Sequence, residues 1–507
     1  LILHKARLLA ICAVVVGLFG LAIRVHLLRT PVGALNADEA YTGLQSLAIL
    51  RGDLPTVIRG AGYTAVLDSY FFAPFVWIFG AHVVPLKLLS SLWWSGAAVL
   101  MYVLAKRFVG RSWGLLAASM LWVAPGALML LSTRAYEAYG LGLLISVLTA
   151  FATTRIMTDQ ELPRRWVVLA GAGAGLAFYL HPMFIAVALP MMLVPCWVHR
   201  RAIRSWWIPA VGSAVFVNIP LLFWNVRHSW PSLSQPAPAT ESAVTRLGRF
   251  FSGLLPRAFG LRNPGGEWLW GGLSVVIYIV LLALIVWGVI GQARLGPRGL
   301  VLALPTVLCW PILSLFSNMG FVDDGRYAIV GFPFLIVALV VGLRSLVVLI
   351  KWSQFTGYVS PSLVGVMWVG IFLIPWINDY APDVVDDPNA NIQAIVDVLV
   401  VEEYSYAAGN YLLTLPIEYQ SDRKVVTAVA GHPWGALFPW QPQFPWGVRF
   451  ADTQAEVMAA YPSDVAYVFL PGDEQVGALR LPVEEYERRE VGGAVLYLPL
   501  MHSVVPE

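Results

Sequence analysis

Charge is what this sequence has least of. Only 12% of its 507 residues are Asp, Glu, Lys or Arg, while 58% are hydrophobic; a soluble domain carries roughly 25% charge. That scarcity excludes an ordinary soluble chain and points to a polytopic membrane protein. The net charge of +3 is scattered over short loops, so no basic patch supports nucleic-acid binding. Cysteine is nearly absent. Cys12, Cys196 and Cys309 each lie inside an apolar run, with no paired spacing and no neighbouring His cluster, which argues against a disulfide framework or a zinc site. The chain also lacks a GxGxxG or other phosphate-cradling loop, so an independent nucleotide site is not expected. It lacks an internal repeat of the kind many transporters carry.

Long apolar runs are abundant. About eleven can be laid out as spans, at residues 8–28, 85–105, 113–131, 138–154, 166–180, 183–198, 206–224, 271–291, 300–316, 327–349 and 359–376. The first follows His4, Lys5 and Arg7 but has no small-x-small cleavage site, so it reads as a retained signal anchor. Short-loop Lys and Arg fall on alternate sides: Lys5 and Arg7, then Lys106, Arg107 and Arg111, then Arg155, Arg164 and Arg165, then Arg200, Arg201 and Arg204, then Arg294 and Arg298, then Arg344 and Lys351. That side is predicted to be cytoplasmic. The opposite loops hold Asp38, Glu39, Asp53 and Asp68, then Arg134 and Glu137, then His181, and finally Asp323-Asp324-Gly325-Arg326.

The outer loops have pattern of their own. Residues 39–50 and 67–80 show helix-like apolar spacing with a polar side, which predicts helices lying at the membrane interface. Residues 242–259 place Leu247, Phe250, Phe251, Leu254 and Leu255 at helical spacing between Arg246, Arg249 and Arg257. A basic amphipathic helix there suits lipid head groups or a lipid phosphate.

Beyond Trp376 the composition becomes soluble in type. A Pro-, Asp- and Asn-rich linker opens a domain at 378–507, leaving 1–377 as the membrane part. Helical patterns are expected at 391–402, 407–415 and 453–461, and strands at 424–430, 465–470 and 494–498. A Trp/Pro-rich loop occupies 431–446, and an acidic, helix-like piece 483–490. The alternation predicts a small α/β domain. An odd number of spans places it outside the cell membrane.

The acid pair in Asn36-Ala37-Asp38-Glu39-Ala40-Tyr41 stands just after the first apolar run. An acid at the centre of a spanning helix costs about 3 kcal/mol on insertion scales, so two at a membrane boundary mark a candidate polar site. Several features occur together on the outer side: this pair, the interfacial segments behind it, Ser132-Thr133-Arg134-Ala135-Tyr136-Glu137 after the third span, the Gly-rich span 171–180 closing on His181-Pro182, and Arg326-Tyr327 opening a late span. In that order the chain resembles the GT-C glycosyltransferases, and most closely the group of protein O-mannosyltransferases and lipid A aminoarabinose transferases. It departs from their pattern in having Glu137 where Asp is frequent and His181 where Lys is frequent.

The resemblance implies an enzyme of the outer leaflet that moves a sugar from a polyprenyl phosphate to a hydroxyl on protein, glycolipid or polysaccharide. It implies Asp38 as the catalytic acid-base residue, with Glu39 orienting the acceptor or shifting the Asp38 proton affinity. Arg134, His181 and Arg326 are then candidates for the donor phosphate, and Asp38 with Glu137 for a divalent cation such as Mg or Mn. Arg134 has a plainer reading as an ion pair with Glu137, three residues on, and His181-Pro182 as a turn between spans. A lipid-linked oligosaccharide polymerase or ligase, a transporter, and a non-catalytic scaffold are the rival classes. Ionisable groups within the expected spans are too few to favour a transporter.

Overall fold

The computed structural model describes residues 2–58, 61–159, 163–233, 241–316, 325–350, 359–431, 464–472, 474 and 481–500. The membrane part opens with α1 (Ile2–Leu28), followed by α2 (Ala37–Leu50), a hairpin of β1 (Val57–Ile58) and β2 (Ala61–Ala65), and α3 (Leu67–Phe79). Then come α4 (Val83–Val109), α5 (Arg111–Trp122), α6 (Gly126–Leu131), α7 (Tyr139–Thr158), α8 (Arg164–Leu180), α9 (Ile185–Val198) and α10 (Ile208–Arg227). The second long loop holds α11 (Ala243–Arg249) and α12 (Leu255–Ala258). The bundle closes with α13 (Gly272–Ala293), α14 (Pro297–Phe316), α15 (Phe332–Leu349), α16 (Val359–Phe372) and α17 (Ile374–Tyr380).

Every expected span is helical, yet among the described residues eight helices are long and apolar enough to cross a membrane by length and composition. The run 113–131 is the clearest difference. It breaks between α5 and α6 at Val123-Ala124-Pro125, because proline disfavours helical geometry in the residue before it and has no N–H to donate. The break leaves carbonyls at the end of α5 without helical partners, and the Trp122 carbonyl accepts from Arg24 Nη2 at 3.0 Å. The buried Arg24 guanidinium also bonds the Gly20 carbonyl and lies 3.6 Å over the Trp122 ring. Both Nη atoms of a charged residue inside a span thereby find local acceptors, making a structural bolt between α1 and α5.

Both interfacial segments of the first loop are helices, α2 and α3. The basic segment of the second loop runs through α11, a π-helical turn (Phe250–Leu254) and α12, but its arginines do not form one outward face. Arg246 and Arg257 are buried, Arg246 donates to the Ser314 carbonyl at 2.8 Å, and Arg249 pairs with Glu241 at 2.8 Å. The expectation of a lipid-facing basic stripe is corrected accordingly.

The C-terminal domain consists of α18 (Ala390–Val401), β3 (Tyr406–Asn410), α19 (Tyr411–Gln420), β4 (Val426–Gly431), β5 (Val465–Phe469), β6 (Tyr486–Val491) and β7 (Ala494–Pro499). Its strands form one mixed sheet in the order β4-β3-β5-β7-β6. β3 is parallel to β4 and β5, while β7 is antiparallel to β5 and β6. The helix expected at 407–415 is instead a strand followed by a helix, because the Asn410 side chain accepts from the Leu412 amide at 2.9 Å and starts α19 there. The acidic piece at 483–490 is a short 3-10 turn (Val483–Glu485) followed by edge strand β6. Its charges pair at a spacing of two, Arg488 with Glu490 and Arg489 with Glu487, which is the period of a strand face and also protects an exposed edge. The helix expected at 453–461 lies outside the described residues, as does nearly all of the Trp/Pro-rich loop.

Helix α19 joins the two parts. Leu413 and Ile417 pack with Ile395, Leu399 and the strands, while Tyr411, Leu415 and Tyr419 pack with Ala37, Ala40, Tyr41 and Leu47 of α2. The acid pair therefore sits beneath a helix of the C-terminal domain.

Candidate active site

The site begins at the first turn of α2. The Asn36 side chain accepts from the Glu39 amide at 3.0 Å and Glu39 Oε2 accepts from the Asn36 amide at 3.4 Å, a reciprocal cap. Both acids fall where a helix N-terminus favours negative charge. Adjacent residues point about 100° apart on a helix, and here one acid faces inward and the other out. The Glu39 side chain is 0% exposed and that of Asp38 is 38% exposed.

Glu39 is saturated. Lys87 Nζ of α4 lies 2.6 and 2.7 Å from its two oxygens, Arg134 Nη1 donates at 2.6 Å, and the Ala135 amide at 2.9 Å. Burial alone pushes this carboxyl up, but the Lys87 and Arg134 charges outweigh it and hold the group below its ordinary value. Glu39 is thus a permanent buried anion tying α2 to α4 and to the turn after α6. Arg134, expected at the donor phosphate or on Glu137, pairs with Glu39 instead of Glu137: residues 132–138 are not helical, and its remaining described bonds go to the Ala34 and Val32 carbonyls. Glu39 and Arg134 lie under the site as its support.

Asp38 is the partly exposed acid of the pair. Its Oδ1 accepts from the Tyr411 hydroxyl at 2.6 Å, and Arg326 Nη1 lies 3.8 Å from Oδ2. That second separation is a charge contact, too long for a hydrogen bond. The Arg326 guanidinium sits 5.7 Å from the Tyr136 ring and 5.4 Å from the Tyr327 ring. Tyr136 accepts from Asn36 Nδ2 at 2.6 Å and meets Tyr139 edge-on, ring centres 5.8 Å apart; Tyr139 in turn lies 6.1 Å from Tyr327. Burial pushes the Tyr136 phenol up to about 12, so it remains a neutral hydroxyl. The result is an aromatic wall carrying one carboxylate and one guanidinium.

One group behind this wall, Asp68, was not assigned a role from sequence. Buried Asp68 accepts from Trp93 Nε1 at 3.0 Å and from the Ala138 amide at 2.7 Å. Burial pushes its carboxyl up to about 7, although those two bonds pull the other way. Ala138 adopts a left-handed φ of 71°, uncommon for a residue with a Cβ, and its amide reaches Asp68 from that turn. Next to it, Glu137 Oε1 accepts from Ser69 Oγ, so the turn is clamped to α3 by both acids. The only hint in the sequence was that Asp68 begins an apolar amphipathic stretch.

His181 stands elsewhere. It is buried in the turn after α8, its Nδ1 accepts from the Met183 amide at 3.1 Å, and its ring meets Tyr63 of β2 edge-on. Burial pulls the imidazole down to about 4, so it is neutral at pH 7 and ill-suited to hold a phosphate by charge. None of its hydrogen bonds or ring contacts among the described residues reaches Asp38, Glu137 or Arg326. The expected cation site pairs Asp38 with Glu137. Among the described residues there is no group of three or more His, Cys, Asp or Glu placed to hold one ion, and Glu137 is buried against Ser69. Asp323 and Asp324 lie outside the described residues.

No family model matches the chain, and no curated protein matches it in sequence. Solved structures do match in shape. The apo structure of ArnT from Cupriavidus metallidurans superimposes with a TM-score of 0.66 over 97% of this chain and 98% of that one, at 13% identity. The same protein bound to undecaprenyl phosphate gives 0.64 at 12% identity, over 96% and 97%. The archaeal oligosaccharyltransferase AglB from Archaeoglobus fulgidus, in complex with an inhibitory peptide and a dolichol-phosphate, gives 0.54 at 12% identity, over 99% of this chain and 75% of that one. This chain has the fold of the GT-C membrane glycosyltransferases.

Proposed function

We propose that this chain is a multi-pass cell-membrane glycosyltransferase that moves a sugar from a polyprenyl-phosphate donor to a hydroxyl acceptor on the outer face, with Asp38 as general base. The observation that carries the reading is the partly open Asp38 carboxylate facing Arg326 at 3.8 Å, set on a fold whose relative binds undecaprenyl phosphate. In this reading all eleven runs span, including the broken and short ones at α5–α6, α8 and α9. The N-terminus is cytoplasmic and residues 378–507 are outside.

The reaction asks little of the protein beyond placement and charge. An acceptor hydroxyl attacks the anomeric carbon while its proton passes to Asp38 Oδ2. The bond from that carbon to the phosphate oxygen breaks, and polyprenyl phosphate departs with the bonding pair. A positioned general base contributes typically 10²–10⁴-fold. Arg326 stabilises the charge gathering on the departing phosphate, since guanidinium matches phosphate oxygens in a bidentate fork. Glu39 and Arg134 act as positioning residues: their buried pair fixes the turn from which Asp38 projects. His181 is not part of the donor site in this reading. Asp38 and Glu137 remain the carboxylates that would hold a divalent cation, which would neutralise charge on the donor phosphate; no step is routed through it.

Purified protein incubated with a polyprenyl-phosphate sugar and an acceptor should release polyprenyl phosphate and should ignore nucleotide sugars. Efficient transfer from a nucleotide sugar without a lipid intermediate would overturn the reading. The likeness to an oligosaccharyltransferase supports one rival, a ligase of lipid-linked oligosaccharide. Release of a polyprenyl diphosphate in place of the monophosphate would select it.

A further inference from the structure

Tyr411 is the first residue of α19, far from Asp38 in sequence, yet its hydroxyl makes the shortest described hydrogen bond to that carboxylate, 2.6 Å. The approach is built in. Tyr411, Leu415 and Tyr419 recur every fourth residue and so present one stripe of α19 to α2. The Tyr419 ring is seated so closely on Gly43 that a Cβ there would lie 2.4 Å from it, and the Tyr419 hydroxyl donates to the His82 carbonyl at 3.1 Å. On its other face α19 is bolted to the sheet: buried Glu418 accepts from the Thr427 amide and from Arg423, both at 3.0 Å. The Tyr411 hydroxyl is therefore delivered by a helix fixed on two sides, and its residue is only 9% exposed.

We propose that Tyr411 is a positioning residue for Asp38, and that the C-terminal domain thereby completes the catalytic site. The inference rests on the transferase reading above. A hydrogen bond to an ionised acceptor is strong and directional; donated to Oδ1, it stops the carboxylate from turning about its own axis and leaves Oδ2 toward Arg326 and the acceptor hydroxyl. When Oδ2 takes the acceptor proton, Tyr411 keeps its own proton and its bond to Oδ1. The sheet domain is then more than an appendage, because without it the base is present but unaimed.

The test compares Tyr411→Phe with Tyr419→Phe, each in the full-length protein. Both keep the ring and remove one hydroxyl at the same domain contact, but only the first touches Asp38. Tyr411→Phe should lower kcat roughly 10- to 100-fold, the range for losing a hydrogen bond to a charged group, while KM for the polyprenyl-phosphate sugar stays within about threefold. Tyr419→Phe should keep kcat within about threefold. A second measurement does not depend on turnover: hydrogen exchange of the first turns of α2 and α19 in Asp38→Ala, Tyr411→Phe and the double variant. If the two groups are bonded, the double variant exchanges no faster than the faster single one. Additive acceleration overturns the proposal, as does a Tyr411→Phe protein with coupled exchange and wild-type kcat, in which the bond would serve docking alone. Coupled exchange in a wild-type protein that transfers no sugar from a polyprenyl phosphate would instead sink the transferase reading and leave the contact standing.

Discussion

Replacing Glu39 by Gln separates a chemical role for that acid from a structural one. The amide keeps the side chain's shape and can still accept a hydrogen bond, but it removes the one negative charge shared by Lys87 Nζ at 2.6 Å and Arg134 Nη1 at 2.6 Å. The cluster would pass from one uncompensated positive charge to two, with the side chain of Lys87 3% and that of Arg134 12% exposed. Breaking a buried pair in this way costs about 3–5 kcal/mol, a large part of the roughly 5–15 kcal/mol that holds a typical protein folded. Thermal unfolding in detergent, followed by tryptophan fluorescence, should show Glu39→Gln melting well below wild type, with activity at low temperature reduced far less than activity near the wild-type working temperature. The pH dependence has a definite sign. A carboxyl held below its ordinary value contributes stability that is fully present above its unfolded value, about 4.3, and is lost as pH falls through the folded one. Lowering the pH from 7 to 5 should therefore leave this contribution intact. A Gln variant that melts with wild type while losing turnover at every temperature would refute the structural assignment and return Glu39 to the chemistry.

The other predictions concern groups around the opening. Asp38→Asn should abolish transfer while leaving the melting transition near wild type, because the side chain is partly exposed; more than about a tenth of wild-type turnover would exclude a base worth 10²-fold. Arg326→Ala should weaken donor binding more than acceptor binding, by about 1.5–3 kcal/mol for a charge-assisted contact, and equal effects on both substrates would reduce Arg326 to a support. His181→Gln should retain turnover within about threefold, since a neutral, buried imidazole is replaced by a neutral hydrogen-bonding group; a loss confined to KM for the donor would restore it to the phosphate site.

Much of the fold was legible because a bilayer demands long apolar helices, and every expected span is helical. Less legible were the interruptions, where one proline such as Pro125 turns a single run into two helices. In the C-terminal domain, 407–415 misled because its Ala and Leu residues favour helix, and only the Asn410 cap marks the change from strand to helix. At the site, Asp38 and Arg326 are both charged residues between expected spans, and the structure brings them face to face. Arg134, Glu137 and His181 looked equivalent to them in composition, but their partners are set by long-range packing. Lys87, which faces Glu39, lies near the start of a long apolar run and gave no signal of its own. Tyr411 could not have been found from pattern, since one tyrosine in a helix of mixed polarity is indistinguishable from core.

The division of labour within the acid pair follows from helix geometry. Had the pair lain in an extended loop, both carboxylates would have been free to face solvent or one another, and mutual repulsion would have raised the proton affinity of one. Setting them in the first turn of α2 turns them apart. Glu39 points into the protein, where Lys87 and Arg134 make its charge permanent, and Asp38 points to the opening, where Tyr411 and Arg326 are its polar neighbours. The buried anion holds three elements of the membrane part together beneath the exposed one, and α19 supplies the remaining contact from above. In the proposed transferase, a base fixed from both sides would lose little orientational freedom when substrate arrives, so binding energy would not be needed to order it. The same arrangement makes the site sensitive to changes that never touch substrate: a side chain at Gly43 would collide with Tyr419 and shift the helix that aims Asp38. Gly43→Leu should accordingly depress kcat through displacement of Tyr411 while the membrane bundle remains folded, and a Leu variant with undiminished kcat would show that α19 does not aim the base.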